Sequence, residues 1–438
     1  MRLTLATAIA LTLILLVGCS GSSSNTSNTA TSSESDEDTH IKIENPQVRI
    51  TIEDQTPAQR EADTFTPVTV SFVGSDTATP VLSSDGRYRV VYELILTNTK
   101  PVPASLDAVE VLDPANDSQV LRLEDKYLLD NLRTLDVKPV DDASLPPNEA
   151  RLLYLTAIFD SEDTIPEALD HQLEVQGADN PGATEASSLS YKAGHLALSK
   201  DAPLVFSPPL EGEGWLAFNG CCELGHPHRE SVQSINGELF NSQRFAIDFL
   251  RLDDDGRLAE GDATDVSNWV GYGAKVMAAA DGVVVDTLDE LEDNKPGSLP
   301  DPSMFTTLAS VDGNHVIIDH GNGLYSFYAH LQQGSVKVKV GDKVQAGDQL
   351  GLLGNTGNTS GPHMHFHIMS GPSPLGSDAI PFVFDSFLLA GVANPTDAEI
   401  DAAFSKGSAS FPSRDGLNPV RHEKEMPLDN AIMDFTSG

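Results

Sequence analysis

Apolar and polar residues alternate along much of this chain in short runs broken by Asp, Gly and Pro. Val68-Thr69-Val70-Ser71-Phe72, the stretch from Tyr88 to Thr97, and Arg151-Leu152-Leu153-Tyr154-Leu155 are examples. Strand side chains point alternately to opposite faces, so a run of this kind predicts a strand with one buried face. Between about residues 41 and 200 the spacing of such runs predicts a β-sandwich of the immunoglobulin-like type. His171 and His195 fall in this stretch away from other ligand-type residues, and are expected to be surface or locally satisfied groups. Glycine and proline, 34 and 27 of 438 residues, mark many turns and strengthen an all-β reading. From Phe206 onward the texture changes and histidine becomes frequent.

The N-terminal stretch departs from this pattern. Met1-Arg2 precedes an apolar run, Leu3 to Val17, that ends in Gly18-Cys19-Ser20. The run is shorter than the ~20 residues that span a bilayer and ends in small residues, so it reads as an export signal over 1–19. Leu16-Val17-Gly18-Cys19 resembles the bacterial lipobox, which implies that Cys19 is lipidated and becomes the mature N-terminus. Ser20 beside it implies the outer membrane, facing the periplasm, as the destination. Residues 20–40 hold Ser, Thr, Asn, Asp and Glu with almost no apolar side chain. Such a stretch cannot offset its ordering entropy and is expected to be a flexible tether.

Charge narrows the partners. With 27 Lys and Arg against 65 Asp and Glu, the formal net charge is −38. A chain this acidic is repelled by phosphate backbones, which excludes nucleic acid as its partner. Three cysteines are too few for a disulfide framework.

The chemistry concentrates in three segments: Gln243 to Phe249, Tyr325 to Leu331, and Gly361-Pro362-His363-Met364-His365-Phe366-His367-Ile368. In the last, His363, His365 and His367 share one face of a strand while Met364, Phe366 and Ile368 face a core. Neutral imidazoles and a carboxylate are what a catalytic zinc takes, usually three of them with the fourth position left to water. The ion lowers the pKa of that water to about 7. A histidine beside the metal can shuttle a proton or stabilise an oxyanion. Alone, His-x-His fits a solvent-facing strand equally well, and the surrounding text has to decide.

That text, from about Gly273 to Phe387, resembles the lysostaphin/LytM-type zinc metallopeptidases, which cut peptide cross-links in bacterial cell walls. The matching segments are Val276 to Val284, Asn314-His315-Val316-Ile317-Ile318-Asp319-His320-Gly321-Asn322-Gly323, Tyr328-Ala329-His330-Leu331, Val340 to Asp348, and Gly354 to His365. With Ala246-Ile247-Asp248 upstream, the likeness covers residues 206–390, leaving 391–438 as a C-terminal extension. It implies a compact antiparallel β-sheet of the duplicated-hybrid-motif type with a groove over one zinc ion per chain. It further implies Asp248 and His365 as zinc ligands, and His330 and His363 as the histidines that activate water and stabilise the oxyanion. Peptidoglycan peptides are the implied substrate. The acidic, turn-rich loops Arg251 to Gly271 and Asp286 to Gly313 either narrow the groove or are solvated excursions. His315 and His320 are expected to be structural.

One position departs from the family. Its first ligand is a histidine four residues before the aspartate, and here that position is Arg244, which stays protonated and cannot bind zinc. Replacement candidates lie in Cys221 to Arg229, with His228 first and His226 second. A branch of the family that carries Gln-Arg-Phe-Ala-Ile-Asp resembles this chain in also having a His-Arg pair upstream and a His-x-His-x-His motif. Cys221 and Cys222 are left as a disulfide between neighbours, as thiols, or as zinc ligands. The competing reading is a catalytically inactive LytM-like regulator that binds and activates a cell-wall amidase. The sandwich is expected to be a spacer or the docking site of a cell-wall protein.

Overall fold

The computed structural model describes residues 63–305, 307–406, 411 and 418–436. Cys19, the leader and the tether lie outside the described residues. No helix among those described is long and apolar enough to cross a membrane.

The fold is all-β. In the N-terminal part, one sheet is ordered Val68–Phe72, Tyr88–Asn98, Ala150–Phe159, Leu132–Arg133. A second is ordered Thr77–Ala78, Ser187–Leu198, Ala168–Gly177, Ala104–Asp113, Ser118–Glu124. Val90, Leu94 and Leu155 of the first meet Val109, Leu173 and Val175 of the second in a shared core, giving a sandwich. Tyr88–Asn98 is buried on both faces. Its even-numbered residues Val90, Tyr92, Leu94 and Leu96 fill the sandwich core, while Arg89, Val91 and Glu93 on the other face are also buried.

That outer face is covered by the rest of the chain. Val81 and Val91 pack with Cys221, Cys222, Phe245, Val383 and Met426, and Val73, Leu152 and Tyr154 pack with Val232. The sandwich is thus joined to the second sheet through apolar contacts and not through a linker alone.

The second sheet has eleven strands among the described residues. Across it run Leu204–Phe206, Phe382–Val392, Ala431–Phe435, Gly212–Phe218, Ile247–Arg251, Met364–Met369, Leu324–Ala329, His315–Gly321, Gly282–Leu288 and Lys343–Val344, with Val420–Glu425 added onto Phe382–Val392. Pairings are antiparallel except that of Leu204–Phe206 with Phe382–Val392. Ile247, Phe249, Met364, Phe366 and Tyr328 point to one face and form its core.

The stretch beyond residue 390 contributes to this sheet. Ala431–Phe435 lies between two central strands with all five residues buried. Burial on both faces is why its sequence shows no alternation. Met426 just before it bonds back to the sandwich, its amide donating to the Leu82 carbonyl at 2.8 Å.

Candidate metal centre

Three neighbouring strands and one irregular segment converge at the end of the second sheet. Asp248 and His365 are direct cross-strand partners, and His365 is paired on its other side with Ala329. Ala329 ends its strand, and His330 follows it directly and is buried. Met364, Phe366 and Ile368 are fully buried on the opposite face and pin the histidine strand in register.

His228 arrives from the irregular segment between Gly212–Phe218 and Ile247–Arg251. Its Nδ1–H donates to the Asn219 carbonyl at 2.9 Å, with the Ala246 carbonyl at 3.2 Å. Both acceptors are carbonyls, so the proton sits on Nδ1 and Nε2 keeps its lone pair. That Nε2 is 3.4 Å from Asp248 Oδ1. The same oxygen is 2.9 Å from His365 Nδ1 and 3.3 Å from His363 Nε2. Asp248 Oδ2 is held by the Asn219 side-chain amide at 2.9 Å, and His365 Nε2 lies 2.8 Å from His367 Nδ1.

One donor atom from each of His228, Asp248 and His365 thus lies within 4.8 Å of the others, and all three residues are buried. Ligands ~2.0–2.1 Å from a tetrahedral zinc stand about 3.3 Å apart, and the 3.4 and 2.9 Å separations of Asp248 Oδ1 from the His228 and His365 nitrogens lie near that spacing. Each donor is also braced by a further polar group, as metal ligands commonly are. His226 is outside the cluster, its Nε2 3.6 Å from Asp429 Oδ2.

Electrostatics favour the protonation states that a metal needs. Burial draws His228 down to about 4, so it is neutral at pH 7. Burial works against the Asp248 anion, but the surrounding imidazoles outweigh it and hold the carboxyl well below its usual range.

His330 and His363 stand beside this cluster with ring centroids 4.6 Å apart. His330 Nδ1–H donates to the Thr356 carbonyl and His363 Nδ1–H to the Gly361 carbonyl, each at 2.8 Å. Both rings therefore keep Nε2 for chemistry. His330 has φ 63°, a left-handed conformation that costs a bulky side chain about 1–3 kcal/mol and recurs at functional sites. Burial, then His363 and His365, push His330 well below its ordinary pKa. For His363 burial acts in the same direction, but the Asp248 carboxylate reverses it and the pKa rises.

The two long loops pack against the turn segment that carries these carbonyls. In the first, Trp269 backs Gly361, where a Cβ would lie 2.6 Å from the indole. In the second, Asn294 donates to the Gly357 carbonyl at 2.6 Å and the Gly297 amide to Ser360 at 2.8 Å. Asn219, Thr356 and Gly361 were not singled out in the sequence. The Asn-Gly and Gly-Asn-Thr texture at 219–220 and 354–361 marks turns, which is as far as pattern reading reaches. Cys221 and Cys222 are joined to each other by a disulfide and lie in an apolar cluster. His315 and His320 bond to the carbonyls of Gly313 and Asp281, and His171 to Tyr92 and Gly194.

Residues 265–376 match the model of peptidase family M23. The chain carries an M23 peptidase domain. Peptidoglycan DD-endopeptidase ShyA of Vibrio cholerae is 34% identical to it over 121 residues, 28% of this chain and 23% of that protein. Peptidoglycan DD-endopeptidase ShyC of the same species is 41% identical over 58 residues, 13% of each chain. The matched part therefore spans less than a quarter of either relative. Among solved structures, a zinc-containing peptidase from Vibrio cholerae aligns over 71% of this chain and 86% of its own at 16% identity, with a TM-score of 0.22. Asp248 and His228 lie before the matched segment, whereas His330, His363 and His365 lie inside it.

Proposed function

We propose that this chain is a zinc metalloendopeptidase that hydrolyses the peptide cross-links of bacterial peptidoglycan. The observation that carries this reading is the convergence of His228, Asp248 and His365 donor atoms within 4.8 Å, in a chain with an M23 domain. The reading places the chain in the cell envelope, anchored by a lipid on Cys19 to the outer membrane and facing the periplasm across the 20–40 tether. The relatives named as peptidoglycan endopeptidases support the substrate class.

His228 Nε2, Asp248 Oδ1 and His365 Nδ1 would hold the ion. Zinc bound there supplies Lewis acidity toward the scissile carbonyl and lowers the pKa of water to about 7. The remaining work falls to side chains. His330 and His363, each fixed by a backbone carbonyl at Nδ1, present Nε2 to the reacting groups, where the pair takes a proton from the attacking water and passes one to the leaving amine. Protonated, either ring also stabilises the developing oxyanion. Asn219 keeps Asp248 Oδ2 occupied, so that Oδ1 is the oxygen turned to the centre.

The regulator reading drew its support from Arg244. That side chain is engaged elsewhere, by Glu93 and Asp378, while His228 stands at the third corner, and no further feature favours a docking role. Zinc analysis of the purified chain, with digestion of purified peptidoglycan and mass spectrometry of the fragments, tests the proposal. One zinc per chain and released peptides cut at a cross-link are expected; intact peptidoglycan beside a zinc-loaded protein would contradict the substrate.

A further inference from the structure

Glu93 sits on the sandwich strand Tyr88–Asn98 and is fully buried. Its Oε2 accepts from Arg244 Nη2 at 2.6 Å and Nε at 2.9 Å. Its Oε1 accepts from Asn241 Nδ2 at 2.9 Å and pairs with Arg229 Nη1. Arg229 Nη2 also donates to the sandwich carbonyls of Tyr92 and Leu155, each at 3.2 Å. Arg244 Nη1 is 3.2 Å from Asp378 Oδ1. Two guanidinium groups and two carboxylates thus balance in the seam between sandwich and sheet. Burying such charges costs several kcal/mol each unless geometry and partners compensate, and here each has close partners.

The position of this cluster in the chain gives it a role. Arg229 is the residue after His228, and Arg244 lies four residues before Asp248. Asn241 stitches the two segments together, its amide donating to the Arg229 carbonyl at 3.1 Å and its Oδ1 accepting from Ser231 Oγ at 2.7 Å. The Glu230 amide donates to the His226 carbonyl at 3.2 Å, closing the turn that carries His228. His228 belongs to no strand, and a ligand on irregular backbone is held less rigidly than one on a regular element. An outside anchor removes that weakness.

We propose that Glu93 is a positioning residue of the metal centre. By clamping Arg229 and Arg244 it fixes the segment that presents His228, so the sandwich completes a site to which the sheet alone supplies two ligands. The proposal rests on the assignment of His228, Asp248 and His365 as ligands. It also gives Arg244 a purpose: the side chain that stands where the similar family has a histidine ligand anchors the loop that brings the substitute.

The test uses the full chain and Glu93→Gln, which keeps shape and removes charge, with Zn²⁺ alone titrated against a chromophoric chelator. Loss of a group bonded directly to a metal ligand typically lowers affinity 10–100-fold; Glu93 acts on His228 through Arg229, one bond further out, and a fall at the lower end, about tenfold, is expected. Hydrogen exchange on the metal-free proteins is the second readout. The Glu230 amide should exchange at least about tenfold faster in the variant, while Phe249 and Phe366 in the central strands keep wild-type rates. Zinc affinity within twofold of wild type, or exchange accelerated equally at all three amides, would overturn the proposal. If Glu93→Gln does not fold, Arg229→Lys, which keeps the charge but loses the fork on Glu93, Tyr92 and Leu155, carries both readouts. A wild-type chain that takes up no zinc would sink the ligand assignment itself, and the exchange comparison would still decide whether Glu93 holds the His228 turn.

Discussion

Asp248 and His365 face each other across two antiparallel strands, Oδ1 2.9 Å from Nδ1. His363, two residues earlier on the same face, reaches the same oxygen at 3.3 Å through Nε2 while its Nδ1 is tied to the Gly361 carbonyl. In the proposed roles, a ligand inside the strand Met364–Met369 and a proton carrier immediately before it differ in which nitrogen is committed. His363→Ala should keep wild-type zinc content and lose about 10²–10⁴-fold in kcat on a cross-linked peptide. Zinc assay and turnover on the same preparation check this.

Restoring the family's histidine should not restore its ligand. Arg244 is directed at Glu93 and Asp378, so Arg244→His leaves Glu93 with one cation fewer. Removing one member of a buried ion pair costs about 3–5 kcal/mol. Arg244→His is expected to melt at a lower temperature and bind zinc no tighter than wild type, whereas His228→Ala loses zinc and His226→Ala keeps it. Calorimetric unfolding with zinc titration measures both.

Asn219 serves two of the proposed ligands at once, its carbonyl accepting from His228 Nδ1–H and its amide donating to Asp248 Oδ2. Asn219→Ala removes the second bond and retains the first. An affinity loss of about 10–100-fold for zinc, with the fold intact by circular dichroism, is the expected outcome.

A pH effect is expected outside the candidate metal centre. His171 in the sandwich bonds Tyr92 Oη at 2.8 Å, and burial lowers its pKa to about 4. Because the folded value lies below the unfolded one near 6.5, the unfolded chain takes up the proton first as pH falls. Stability from this group is complete above pH 6.5 and is lost as pH drops toward 4, by about 3 kcal/mol in all. His171→Gln keeps a hydrogen-bonding side chain and does not titrate. The stability advantage of wild type over His171→Gln should shrink between pH 7.5 and pH 4.5, as measured by urea unfolding at each pH.

The sequence made some of this visible and concealed the rest for physical reasons. Period-two alternation exposed the strand Met364–Met369, because one of its faces is apolar and the other carries His365 and His367. Sandwich strands were visible in the same way. His228 gave no periodic signal, since it lies on irregular backbone, and the sequence left it beside His226. The partner of Arg244 was out of reach: Glu93 is 151 residues away in the chain, and its run reads as ordinary strand. Ala431–Phe435 shows no alternation because both its faces are buried.

The most direct test of the metal centre is anomalous X-ray diffraction at the zinc edge from crystals of the full chain grown with zinc. One strong peak bounded by His228 Nε2, Asp248 Oδ1 and His365 Nδ1 is expected. A map with no peak there, or with zinc held by His226 or the Cys221–Cys222 pair instead, would contradict this ligand set.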